Sequence, residues 1–266
     1  MTYDFENMLR LKSTLQAVMH DYEKNGNTKA LQQFFDAATD ITPVPSSTSF
    51  AHVYEAKNSV LQFVRWFYAT IPSAGIDDCT DALYEHLCDR ILSSETAMID
   101  VPTINSVLEA IDQLFPFFKN MDNDHPLSIS IIDAETSDRN GESIAIINED
   151  GTRGAIFLYR MWDDFDGRFT PATVLLHELG HQLHIRVTGE LYKIPENFYI
   201  HLNSIGADYT NLCETDLIEV FADTFLLAVV HKTKAFGDPF PEINDATKRT
   251  CFQYISNLIT CLSRIF

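Results

Sequence analysis

Apolar residues recur at helical spacing through residues 3–38, where Phe5, Met8, Leu9, Leu11, Leu15, Val18, Met19, Leu31, Phe34 and Phe35 lie on either side of the polar break KNGNT. The pattern predicts a helical hairpin. A Thr-, Pro- and Ser-rich stretch, TPVPSSTS over 42–49, reads as a loop, and the strongly apolar run from Val53 to Ile71 reads as a buried helix ended by Pro72. Further helices are expected over 77–93 and 103–119. Residues 1–120 therefore read as an all-helical N-terminal region.

The periodicity changes after Met121. LSISIID (127–133), SIAIIN (143–148) and AIFLYR (155–160) are short, alternating or rich in β-branched residues, and are separated by the turn signals DRNG and NEDG. They predict a small, mainly antiparallel sheet. Thr170 and Pro171 supply an N-cap and a first-turn proline ahead of VLLHELGHQLHI, so a helix starts there, and two more fit 215–231 and 245–264. The reading is an α+β chain in which residues 121–266 form a second domain built of this sheet and the HELGH helix. No internal repeat or low-complexity tract interrupts it.

Composition narrows the function classes. Hydrophobic residues make up 45% and charged residues 21%, a globular balance. With 38 acidic against 19 basic residues the net charge is −19, a field that repels nucleic acid and anionic membrane surfaces and suits a solvated surface or a basic or neutral peptide. The 5 cysteines are scattered, with no CxxC pair, which argues against a disulfide framework or a zinc ribbon. MTYDFENMLRLKSTL lacks the charge pattern of a signal peptide and no apolar run is long enough to span a bilayer, so the expected location is cytoplasmic, although leaderless secretion would leave the same sequence.

The chemistry concentrates in HELGH. Histidines four apart share one helical face, so His177 and His181 can converge on one ion, and imidazole suits zinc. Glu178 is rotated about 100° from His177 by the helical period, which makes it a base beside the metal and not a ligand. Leu175, Leu176, Leu179 and Leu183 can anchor the helix in a core. Gly180 costs roughly 1 kcal/mol against alanine in mid-helix, so something must approach closely there.

A catalytic zinc takes three protein ligands and leaves one position open, so a third donor is needed downstream. In ETDLIEVFADTFLLAVV, Glu219 and Asp223 share one face of an otherwise apolar segment, and two such carboxylates need cationic or metal partners. Glu219 is the candidate ligand, and Asp223 the acceptor for the other ring N–H of a ligating histidine. A capping box from Asp216 to Glu219 would account for Glu219 without a metal, and Glu214 and Asp216 are the fallback ligands. His184 stands too far along the axis from His177 to share its ion, and reads as a surface or core-edge residue. Tyr192, Tyr199, His201 and Tyr209 lie between the two motifs and could reach a developing oxyanion, but each reads as structural.

HELGH followed by E-x-x-A-D-x-F resembles the gluzincin branch of the zinc metallopeptidases, and EVFADTFLL is most similar to the small ImmA/IrrE-type peptidases. The resemblance covers roughly residues 127–231 and implies a zincin-like fold, a bound zinc held by His177, His181 and Glu219, Glu178 as general base, and a peptide or protein substrate. It also implies that the strand before the active helix, here Ala155–Arg160, offers an edge on which an extended substrate pairs. The competing reading is a non-catalytic zincin-fold interaction or regulatory protein with a bound zinc.

Overall fold

The computed structural model of the chain describes residues 41–56 apart from 47, 101–118 apart from 117, 127–136, 140–148, 151–162 and 169–262, with isolated positions between 17 and 29. The described elements run β1 (Ile41–Val44), β2 (Ala51–Ala56), α1 (Val101–Leu114), β3 (Leu127–Thr136), β4 (Gly141–Asn148), β5 (Gly151–Trp162), α2 (Pro171–Thr188), α3 (Phe198–Ser204), α4 (Glu214–Thr233) and α5 (Asp245–Leu262). The chain is mixed α and β, as the patterning predicts. Of the expected hairpin over 3–38, the described positions are helical on both sides of Gly26 and Asn27, within the KNGNT break. Its remainder, the helix over 77–93 and the continuation of the apolar run past residue 56 lie outside the described residues.

Two expectations are corrected. The region before residue 120 is not all helical, because residues 41–44 and 51–56 are antiparallel strands in the register Ile41↔Ala56. The reason is visible in AHVYEA: Ala51 and Val53 are buried while His52 between them is exposed, a period of two that the apolar run behind it conceals. Nor is the sheet mainly antiparallel. Its order is β1-β2-β3-β5-β4, with β2–β3 and β3–β5 parallel and β1–β2 and β4–β5 antiparallel. The NEDG turn does make a hairpin, pairing Asn148 with Gly151, but the chain leaving β3 passes over the place of β5 to reach the edge, so β3 and β5 run the same way.

One face of the sheet presents Ala51, Val53, Leu127, Ile129, Ile131, Ile156 and Leu158, and these join a single hydrophobic cluster with Ile104, Val107 and Leu108 of α1 and with Leu175, Leu176, Leu179 and Leu183 of α2. The four leucines are thus the anchors that the helical spacing predicts. α2 lies on β4 and β5, α4 packs on α2, and α5 packs on α4. Elements from both sides of residue 120 share the sheet and this core. Among the described residues, no helix is long and apolar enough to cross a membrane.

Both ends of α2 are fixed locally. Thr170 Oγ1 accepts from Thr173 N and Thr173 Oγ1 accepts from Thr170 N, a capping box with threonine at each position. Pro171 fills the first turn, and Gly189, at φ 70°, ends the helix with its N–H on Ile185 O. The loop after α4 closes over this N-terminus, with Phe236 O accepting from Thr170 Oγ1 and the Phe240 ring edge-on to Phe169. Asp238 in the same loop pairs with the buried Lys248 of α5.

Candidate metal centre

His177, His181 and Glu219 meet where α2 crosses α4, each offering a ligand atom within 4.8 Å of the others, a group that can hold a metal ion. His177 Nε2 is 3.1 Å from His181 Nε2 and 3.0 Å from Glu219 Oε2, and His181 Nε2 is 3.6 Å from Glu219 Oε1. On its other side His177 Nδ1 is 2.9 Å from Asp223 Oδ1. A carboxylate only accepts, so this bond places the Nδ1 proton on His177 and leaves its Nε2 as a lone pair. The His177 lone pair, His181 Nε2 and a carboxylate oxygen then meet at one spot, an arrangement that a cation between them would satisfy.

Without a metal, the cation is a proton. Burial pushes His177 toward its neutral form, but the hydrogen bonds to Asp223 and Glu219 outweigh it and raise its pKa to about 10. The bonds to His177 and then His181 hold Glu219 well below the usual carboxylate range. A metal ion entering the group displaces that proton.

The helices come this close because of two small residues. A Cβ on Gly180 would stand 2.7 Å from Ala222 Cα and 2.9 Å from Ala222 O, so glycine on α2 lies flat against the backbone of α4. This is the close approach that a glycine in mid-helix predicts. Ala222 sits between Glu219 and Asp223, which explains the small residue in E-x-x-A-D: the two carboxylates reach α2 from either side of the contact.

α4 begins at Glu214, and its capping box joins Cys213 to Asp216, whose Oδ2 accepts from Cys213 N at 3.0 Å. Asp216 therefore occupies the N3 position, and the capping role weighed for Glu219 belongs to Asp216 instead. Neither Glu214 nor Asp216 joins the ligand group.

Glu178 is 7% exposed and packs toward the start of β4, where a Cβ on Gly141 would lie 3.0 Å from its Oε1. Burial raises its pKa, which His181 and His177 counter by their charge. It is outside the ligand group, as its helical angle predicts.

His184 is not at the surface or the core edge. It is 1% exposed, its Nδ1 is 3.3 Å from Lys193 O, and its ring lies edge-on to His181 and Phe221. Burial first, and the charge of His181 second, lower its pKa to about 4. Of the four aromatic and histidine candidates between the motifs, three make contacts of their own. Tyr192 is exposed, Tyr199 packs on Tyr209, and Tyr209 OH accepts from Asn203 Nδ2 at 2.9 Å. His201 stacks on Tyr254 and Phe198, from α5 and its own helix α3.

Ala155–Arg160 is not an edge. It lies in β5, paired with β3 on one side and β4 on the other, and among the described residues the edge strand beside α2 is β4. The sequence reading also missed Gln182, Ser143 and Gly141, which join α2 to that edge; the available signal was a glutamine among the leucines that follow the second histidine. Comparison with protein-family models, curated proteins and solved structures finds no match to this chain.

Proposed function

We propose that this protein is a zinc-dependent peptidase whose site is built on α2 and α4. The observation that carries the reading is the joint placement of three convergent donors and a separate buried carboxylate, Glu178, on the same helix turn as two of them. Zinc fits the donor set: bonds of about 2.0–2.1 Å at tetrahedral angles put donors roughly 3.3 Å apart, and the two histidine nitrogens lie 3.1 Å apart with a Glu219 oxygen 3.0 Å from one and the other Glu219 oxygen 3.6 Å from the second. Bound there, zinc would supply a Lewis acid for a scissile carbonyl and bring the pKa of its water toward neutrality.

The remaining steps belong to the chain. Asp223 holds the His177 ring in one tautomer and orientation through Nδ1–H. The Glu178 carboxylate accepts a proton from the attacking water and returns it to the leaving amine, and burial, which raises its pKa, makes it a stronger base for that exchange. The outer edge of β4 can receive an extended peptide as an added strand. The net charge of −19 favours a basic or neutral peptide. The resemblance to gluzincins supports the same reading.

Glu178→Gln tests it. The variant is expected to bind zinc like the parent and to lose hydrolysis of a mixed peptide library by roughly 10²–10⁴-fold. Equal cleavage by parent and variant would mean that the base is elsewhere or the activity is not this protein's, and a zinc-loaded parent with no zinc-dependent cleavage would support a non-catalytic interaction or regulatory protein.

A further inference from the structure

Gln182 directly follows the second histidine of the motif and is 1% exposed. Its Nε2 donates to Ser143 Oγ at 2.7 Å and Ile144 O at 3.0 Å, and reaches Ala155 O at 3.5 Å, so one amide bridges β4 and β5. The two carbonyls only accept, which fixes the amide orientation and turns Oε1 toward Gly154, where it has no hydrogen-bond partner. A Cβ on Gly154 would stand 1.8 Å from that oxygen, so the strand is reduced to glycine where the side chain enters.

Ser143 carries the tie back to the helix. Its Oγ accepts from Gln182 and donates to Glu178 O at 3.2 Å, enclosing the helical turn that bears Glu178. Gly141 completes the bracket, since a Cβ there would meet Val174 Cγ1 at 2.7 Å as well as Glu178. Packing alone would be served by another leucine at 182 and an ordinary side chain at 154. The buried amide adds direction, binding α2 to two strands at one height.

We propose that Gln182 is a positioning residue that fixes the height and rotation of α2 against the edge strand β4. The tie sets where a peptide lying on β4 meets Glu178 and the metal-ligating histidines, a consequence that rests on the peptidase reading. The tie itself does not, because every candidate ligand is on α2 or α4, so metal affinity is expected to be insensitive to the position of β4.

The test uses Gln182→Met, similar in length and without donors, and Ser143→Ala, a milder cut in the same relay that remains available if the first variant does not fold. The full chain is loaded with cobalt(II), and the metal-induced pseudocontact shifts of backbone amides are recorded. In both variants cobalt affinity and the shifts along α4 are expected to match the parent, while the shifts of Gly141–Ile144 move, further in Gln182→Met. In the zinc-loaded proteins kcat should fall, on the order of 10²-fold for a displacement near 1 Å, with little change in KM. β4 shifts that superimpose on the parent's in a folded variant overturn the proposal, as does parental kcat. If the parent cleaves no peptide the peptidase reading fails, and the cobalt shifts still decide whether Gln182 holds β4.

Discussion

Gly180→Ala sets two physical effects against each other. Helix propensity alone favours the variant by roughly 1 kcal/mol. The helix crossing opposes it: the new methyl would sit 2.7 Å from Ala222 Cα, 2.9 Å from its O and 3.2 Å from its C, all backbone atoms of α4. Non-bonded carbons settle at about 3.5–4.0 Å, so the helices must part locally by roughly 1 Å. Overpacking of this kind costs about 1–3 kcal/mol, which leaves the metal-free protein between unchanged and about 2 kcal/mol less stable. Metal affinity is the sharper readout, because the donor edges of 3.0–3.6 Å span this same crossing. A loss on the order of 10–100-fold is expected, the scale seen when a metal site loses its supporting contacts. Calorimetric zinc titration and thermal melts of the metal-free proteins measure the two effects separately. Gly189→Ala is the control: it strains a left-handed cap, at φ 70°, with open space around it, and should lower stability while leaving zinc affinity at the parental level. A Gly180→Ala protein that melts higher than the parent and binds zinc equally well would refute the argument.

The paired carboxylates should separate by rank. Glu219→Ala removes a donor and is expected to lose the most zinc affinity in titrations at equal helix content, whereas Asp223→Asn, which weakens only the acceptor behind His177, should lose about 10–100-fold; the reverse order would exchange their roles. His201 is one source of acid sensitivity in the fold, alongside His184. Burial lowers its pKa from 6.5 to about 4, so the unfolded chain takes up a proton as pH falls through 6.5 while the folded chain does not. Its contribution is intact above about pH 6.5 and is lost progressively toward pH 4, on the order of 3 kcal/mol at 1.36 kcal/mol per pH unit. His201→Phe keeps the stack on Tyr254 and Phe198 and removes a buried Nε2 without a partner, so denaturant melts should show a shallower loss over that pH window. An unchanged slope would move the effect to another group, such as His184.

The centre was legible because its signals are local. Histidines four apart, a glycine where a helix should not have one, and two carboxylates on an apolar face each imply their geometry from the helical period alone. Glu219 is ambiguous for a reason equally local: Asp216 and Glu219 have the three-residue spacing of a capping pair, a pairing that Cys213 and Asp216 form instead. Long-range pairing was not legible. Nothing in AHVYEA announces that Ala51 will lie parallel to Leu127, and turn signals between successive strands suggest hairpins even where β5 inserts between β3 and β4. Gln182 was hidden because its partners are a serine hydroxyl and backbone carbonyls on strands.

The pairing of Ala51 with Leu127 bears on how the molecule is made. The polar contacts of the candidate metal centre and its tie to β4 close 39 to 46 residues of chain, from Ser143–Gln182 to His177–Asp223, while β2 reaches β3 only across the 76 residues from Ala51 to Leu127. Closing distant segments is the slow part of folding, and contacts near in sequence form first. In refolding experiments the chain should therefore acquire tight metal binding in an earlier kinetic phase than the one that protects the amides of 51–56 from hydrogen exchange. Simultaneous appearance of both would mean that the centre waits for the complete sheet. If the metal phase leads, the ion can trap a half-assembled sheet, and its supply during synthesis would influence how much of the chain reaches the native state.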